Sequence, residues 1–259
     1  MKDYILEVCV DSVESALAAE RGGATRLELC ANLVIGGTTP GYPLFEQVKK
    51  ETGLPVRTLI RPRFGDFLYT QYEHRQMLQD ICHFAQAGAD GVVIGSLNAD
   101  GTLNTEQMQE MIEAAGSCAV TMHRAFDVCA DPFEALKKSA ELGVDTILTS
   151  GQEADCLAGC GLLKKLVQLT DQSRSDSRRV TILAGAGVTS ANIAEIAKKT
   201  GVRAFHMSGK RLLESGMRYR NERVHMGLGS LSEFECYRTD EAEIRRAAEI
   251  LRTLGEDGR

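Results

Sequence analysis

No apolar run in this chain approaches the ~20 residues that a membrane span needs, because Glu, Arg or Gly interrupts each one at strand length. The start, Met1 to Glu7, runs straight into a strand pattern and lacks the apolar core and cleavage site of a signal peptide, so a cytosolic protein is expected. There is no Cys-x-x-Cys pair among the eight cysteines, which then read as reduced thiols rather than a disulfide framework. Basic runs with interleaved aromatics are missing too, and the net charge is -6, which argues against nucleic acid as a partner. His-x-His, His-Glu-x-x-His and Asp-x-Asp signatures are absent, so no sequence motif supplies a catalytic divalent-metal set. Every lysine falls on an expected helix, terminus or loop, which disfavours Schiff-base chemistry, and no Gly-x-Ser-x-Gly elbow supports a nucleophilic serine.

What is present is a repeat. Four segments share one pattern, a helix-ending Gly, an apolar and a polar residue, then a short strand: Gly23 to Cys30, Gly88 to Gly95, Gly143 to Ser150 and Gly201 to Ser208. Each Gly fits a helix C-cap, where left-handed backbone carries no Cβ penalty. Between them lie strand patterns at Ile5 to Val10, Val56 to Arg61, Ala119 to Ala125 and Val180 to Ala184, with helical periodicity filling the gaps. Eight strands alternating with eight helices in 259 residues match a (β/α)8 TIM barrel, which needs about 250. A doubly wound sheet is the alternative, but Cys9-Val10-Asp11-Ser12 is not its glycine-rich nucleotide turn. One domain spanning 1–259 is expected, with a long excursion after strand eight at about 210–239 and a solvated loop at Asp171 to Arg179.

The chemistry-bearing residues gather at the expected strand exits. Thr121 to Asp127 brings His123, Arg124 and Asp127 to one exit, ahead of the helix-start pair Asp131-Pro132. Three such groups are costly to bury unless they pair or face a cleft, so the stretch is a site or a buried ion cluster. The first two strands spell Leu6-Glu7-Val8-Cys9 and Leu27-Glu28-Leu29-Cys30, placing Glu7 with Cys9 on one face and Glu28 with Cys30 on one face. If the registers match, the two thiols meet above two carboxylates, a donor set that suits a soft ion such as Cu(I); buried cysteine packing as a small hydrophobe is the other reading. After strand three, Arg61 and Arg63 flank Pro62, with Gly65 and Asp66 turning the chain, a fork suited to carboxylate or phosphate or else a structural bridge. Gly185, Gly187 and Ser208 after strands seven and eight fit the anion-binding loops of such barrels, and His206 is either an acid–base group or a core histidine.

Several of these stretches, Glu7 to Ser12, Arg26 to Cys30, Gly36 to Pro40, Ile60 to Phe67, Thr121 to Asp127, Leu148 to Gly151 and Met217 to Asn221, closely resemble the CutC family. The resemblance implies a cytosolic TIM barrel, usually a homodimer or larger assembly, named for copper homeostasis and in some members linked to Cu(I). Carried over, Cys9 and Cys30 match the thiols proposed for copper, and Glu7, Glu28, Arg61, Arg63, Asp66, His123, Arg124 and Asp127 stand at the mouth. One departure is Phe64, where the family usually has Gly, and which is expected to narrow the mouth. Two functions follow as expectations: Cu(I) held by Cys9 and Cys30 without turnover, or an enzyme acting on a small anionic metabolite. In the second, Arg61 and Arg63 clamp the anion, His123 or Glu28 moves a proton, and Asp127 orients its neighbours.

Overall fold

The computed structural model describes residues 4–172, 179–221, 223–224, 226 and 232–256. Its frame is a closed barrel of eight parallel strands: β1 Ile5–Val10, β2 Arg26–Leu29, β3 Val56–Leu59, β4 Gly91–Ile94, β5 Ala119–Met122, β6 Thr146–Thr149, β7 Thr181–Gly185 and β8 Ala204–Met207. The order is sequential, and β8 pairs back onto β1 through Leu6 with Phe205 and Glu7 with His206. Outside run the helices α1 Val13–Gly22, α2 Tyr42–Glu51, α3 Gln71–Gln86, α4 Thr105–Ala115, α5 Pro132–Leu142, α6 Cys160–Gln172, α7 Ile193–Thr200 and α8 Glu241–Glu256. The (β/α)8 expectation therefore holds. The expected loop at Asp171 to Arg179 falls mostly on residues 173–178, outside the described ones.

Local chemistry sets the helix ends. Gly23, Gly143 and Gly201 all take the left-handed conformation at helix C-caps, as the repeat predicts. Asp131 caps α5 by accepting from the Phe133 and Glu134 N–H groups, and Thr70 with Glu73 forms a reciprocal capping box on α3. Strand β5 stops at Met122 instead of running to Ala125, since the chain turns there into a 3-10 segment, Arg124–Val128, with the His123 side chain accepting from Ala125 N–H. Past β8, Lys210–Glu214 (β9) and Glu235–Thr239 (β10) form an antiparallel hairpin that period and composition did not announce.

The main apolar core lies between the outer strand faces and the helices, with Phe45, Phe126 and Phe205 almost wholly buried. The barrel interior is different. Two small apolar clusters, Cys30 with Leu59 and Val93, and Leu148 with Leu183 and Ala204, flank a charged lining in which Glu7, Arg26, Glu28 and Arg57 are each under 9% exposed. Arg26 Nε donates to Glu7 Oε2 at 2.5 Å, while Arg57 binds Asp145 at 2.9 Å and the hydroxyls of Thr121 and Thr146. Such interiors are usually branched and apolar, so this one trades dispersion for fixed polar groups beneath the mouth.

Removing a ring from the outer core should be costly. Phe45 meets Phe84 edge-on at 5.3 Å, and Phe45→Ala is expected to lower the unfolding free energy by about 3–5 kcal/mol in urea titration at unchanged m-value.

Candidate functional site

At the C-terminal mouth lies a cavity of about 900 Å³, walled by Cys9, Glu28, Arg61, His123, Arg124 and Asp127 on one side. His206 of β8 and the segments after β7 and β8 complete it, with Gly187, Ser208 and Lys210. Most of the expected site residues therefore meet. Five do not reach the wall: Glu7 and Cys30 are fully buried, and Arg63, Asp66 and Gly185 serve elsewhere. Arg63 turns outward to bind Glu73 at 2.6 Å and Asp66 at 2.9 Å, so the fork divides: one arm serves the mouth, the other holds its own loop. Asp66 is consumed by that pair, and Gly185 serves packing, since a Cβ there would lie 2.4 Å from Leu148 Cδ1. Phe64 is 66% exposed and outside the wall, so it does not narrow the mouth; Phe67, from the same loop, does line it.

The two carboxylate-bearing strands are staggered. Cys9 lies opposite Glu28, and Glu7 opposite Arg26, so Cys30 sits two residues further along β2 than Cys9 along β1. A two-residue step is about 6.6 Å of rise. The tilt that closes an eight-stranded barrel demands such a shear, and it overrides the equal spelling of the two strands. Cys30 is fully buried, its thiol directed at the Val10 carbonyl at 3.5 Å and enclosed by Leu59 and Val93, whereas Cys9 forms part of the cavity wall. Burial, with the nearby Cys9 and Glu28, pushes the Cys30 thiol well above its ordinary pKa.

Glu7 sits under the mouth with no exposure, accepting from Arg26 Nε on one oxygen and pairing with His206 Nδ1 at 2.8 Å on the other. Burial pushes its pKa up, but the His206 hydrogen bond and the Arg26 charge win and bring it down to about 2. Glu28, 5% exposed, has no partner at Oε2; burial, opposed by His206 but helped by Glu7, raises it to about 7. For His206 burial disfavours the cation, yet Cys9, Glu28 and Glu7 raise its pKa well above the ordinary value. Glu7, Glu28 and His206 present ligand-capable atoms within 4.8 Å of one another, an oxygen-and-nitrogen set that no spacing rule shows because it spans 199 residues and the β1–β8 seam.

His123 is 4% exposed and held neutral, its pKa lowered to about 3 by burial and then by Arg61. Its Nδ1 accepts from Ala125 N–H at 3.2 Å, and its Nε2 is buried without a partner. Arg61 donates to the carbonyls of Gly36, Gly37 and Gly65, and its Nε is likewise unpartnered. Asp127 is saturated: it accepts from Arg124 Nε, Thr149 Oγ1 and the Ser150 and Gln152 N–H groups, so it fixes Arg124 and the β6 exit. Sequence reasoning missed Phe67 and Lys210 as wall residues. Lys210 had a signal, its place directly after β8.

Glu28 gives a pH signature. Its folded pKa lies above the unfolded value, so its protonated form is favoured in the folded state; that contribution is complete below about 4.5 and lost as pH rises through about 7. Glu28→Gln is therefore expected to be more stable than wild type at pH 8, by on the order of 3 kcal/mol, with the gap closing toward pH 5. Urea titrations across that range measure it, and a gap that stays constant with pH refutes the assignment.

Comparison with known proteins agrees with this geometry. The CutC family model matches residues 4–211. A CutC family protein of Bacteroides fragilis is 47% identical over 97% of this chain and 98% of its own. The human copper homeostasis protein cutC homolog is 40% identical over 97% of this chain and 90% of its own. The solved structure of CutC from Streptococcus agalactiae superposes with a TM-score of 0.74 at 29% identity, covering 80% of this chain and 99% of that one. With the family model, the barrel fold and near full-length relatives in agreement, the chain belongs to the CutC family.

Proposed function

We propose that the mouth is the active site of an enzyme that moves a proton on a small anionic metabolite, a carboxylate or phosphate. One observation carries this: Glu28 Oε2, His123 Nε2 and Arg61 Nε are buried without hydrogen-bond partners, and all three residues line one cavity. Each such group costs about 1–3 kcal/mol left unpaired, and a polar ligand would satisfy them together. Glu28 would carry the proton, His123 would donate a hydrogen bond, Arg61 and Arg124 would attract the anion, and Gly187, Ser208 and Lys210 would border it. In this reading the chain is one barrel domain working in the cytosol as a homo-oligomer.

Thermal unfolding in phosphoglycolate and in malonate tests it. At a hundredfold excess over Kd, bound ligand should raise Tm by on the order of 5 °C, and His123→Gln and Arg124→Met should lose most of that shift. No shift with either anion removes the reading.

The second reading is Cu(I) as cargo, held by Cys9 and Cys30. It is favoured by Cys9, whose thiol borders the open mouth beside Glu28 and His206. The donors fit a soft ion only in part: thiolate suits Cu(I), while the two carboxylates suit harder ions, and the Cys30 thiol must first lose a tightly held proton. Anaerobic titration of Cu(I) against a competing chelator separates the cases. A thiol pair requires Cys9→Ser and Cys30→Ser each to abolish tight binding. If Cys30→Ser binds as wild type does, the pair is excluded.

A further inference from the structure

Resting on the acid–base reading of the mouth, we infer that the substrate carries a carbonyl group with an acidic neighbouring C–H. His123 and Arg61 then form a two-donor cradle for the oxygen that becomes negative when Glu28 removes that proton.

His123 has a defined tautomer. Because Nδ1 accepts from the Ala125 N–H at 3.2 Å, the ring proton is on Nε2, the nitrogen that lacks a partner. The ring is also fixed in place: a Cβ on Gly95 would come within 2.6 Å of Cε1, and Phe67 packs on it at a centroid distance of 4.7 Å. His123 is thus a neutral, immobile N–H donor. For binding a plain carboxylate an imidazolium would serve better, so a neutral donor points to an oxygen that is uncharged on arrival and gains charge in the reaction. Arg61 repeats the design. Three backbone carbonyls tether its guanidinium, Nε–H is left over, and it stacks on the same Phe67 ring at 5.1 Å.

The wall also supplies an unpartnered acceptor, Glu28 Oε2. Its carboxylate takes the proton, the C–H electron pair becomes the C=C bond of an enolate, and the carbonyl π pair moves onto the oxygen between His123 and Arg61. Return of a proton from Glu28 to carbon completes an exchange or an isomerisation, with no oxidant or reductant consumed.

The test follows deuterium uptake by proton NMR in D2O. Pyruvate and levulinate, with the anion next to or two carbons from the carbonyl, and dihydroxyacetone phosphate are the probes; glyoxylate, which has no such C–H, is the blank. At least one probe should lose its α-proton signal tenfold or more faster with protein than in buffer. Glu28→Gln should slow this at least a hundredfold, and His123→Gln by about 10²–10³, while circular dichroism reports both variants folded. Phosphoglycolate binding at the mouth with no probe exchanging above buffer overturns this inference and leaves the proposed function standing; absence of both overturns both. Exchange undiminished in His123→Gln overturns the cradle.

Discussion

The mouth depends on one buried carboxylate. Glu7 ties Arg26 of β2 and His206 of β8 to β1 through its two oxygens, and it does so with no exposure to solvent. An ion in that position costs several kcal/mol to desolvate, a cost that only well-placed partners offset. The consequence reaches upward. With Glu7 satisfied from both sides, His206 is held at the cavity floor and its charge is turned toward Cys9 and Glu28. Glu28 Oε2 has no partner, and burial prevails there, so two glutamates on neighbouring strands are displaced in opposite directions from one starting pKa.

How much of this was legible depended on range. Strands and helices follow from local pattern, and the glycines at positions 23, 143 and 201 announced helix ends because left-handed backbone is a local requirement. The crowding of His123, Arg124 and Asp127 was legible for the same reason, since one strand exit carries all three. Register was not. The repeated Leu-Glu-x-Cys spelling invites a level pairing of Cys9 with Cys30, but stagger is a property of the closed barrel, and it puts Glu28 beside Cys9. The division of the Arg61–Arg63 fork was equally hidden, because it turns on Glu73, a helix residue whose first duty is the α3 cap.

The polar interior has a further effect on how the site is held. Arg57, packed beside Gly91, reaches across to Thr121, Thr146 and Asp145, joining β3 to β5 and β6 from inside. Those strands deliver Arg61 and His123 to the mouth, and Ser150, which Asp127 holds, follows β6. Apolar packing would fill that space as well but would tolerate sliding; directional bonds with several partners fix the height of each exit, which is what a site built on several different strands requires.

Glu28 and Asp127 line one cavity, and their surroundings sort them into different work. Asp127 accepts from one guanidinium, one hydroxyl and two backbone N–H groups, so its hydrogen bonds are already spent on geometry. Glu28 has an empty oxygen and a pKa near 7, where gaining and losing a proton cost about the same at neutral pH. In the proposed reading Glu28 is the acid–base residue and Asp127 its fixed companion. His123 fits between them only as a donor, because burial and Arg61 forbid it a second proton. In that reading Glu28 moves the proton while His123 and Arg61 supply fixed donors, an arrangement suited to shifting a proton beside a carbonyl.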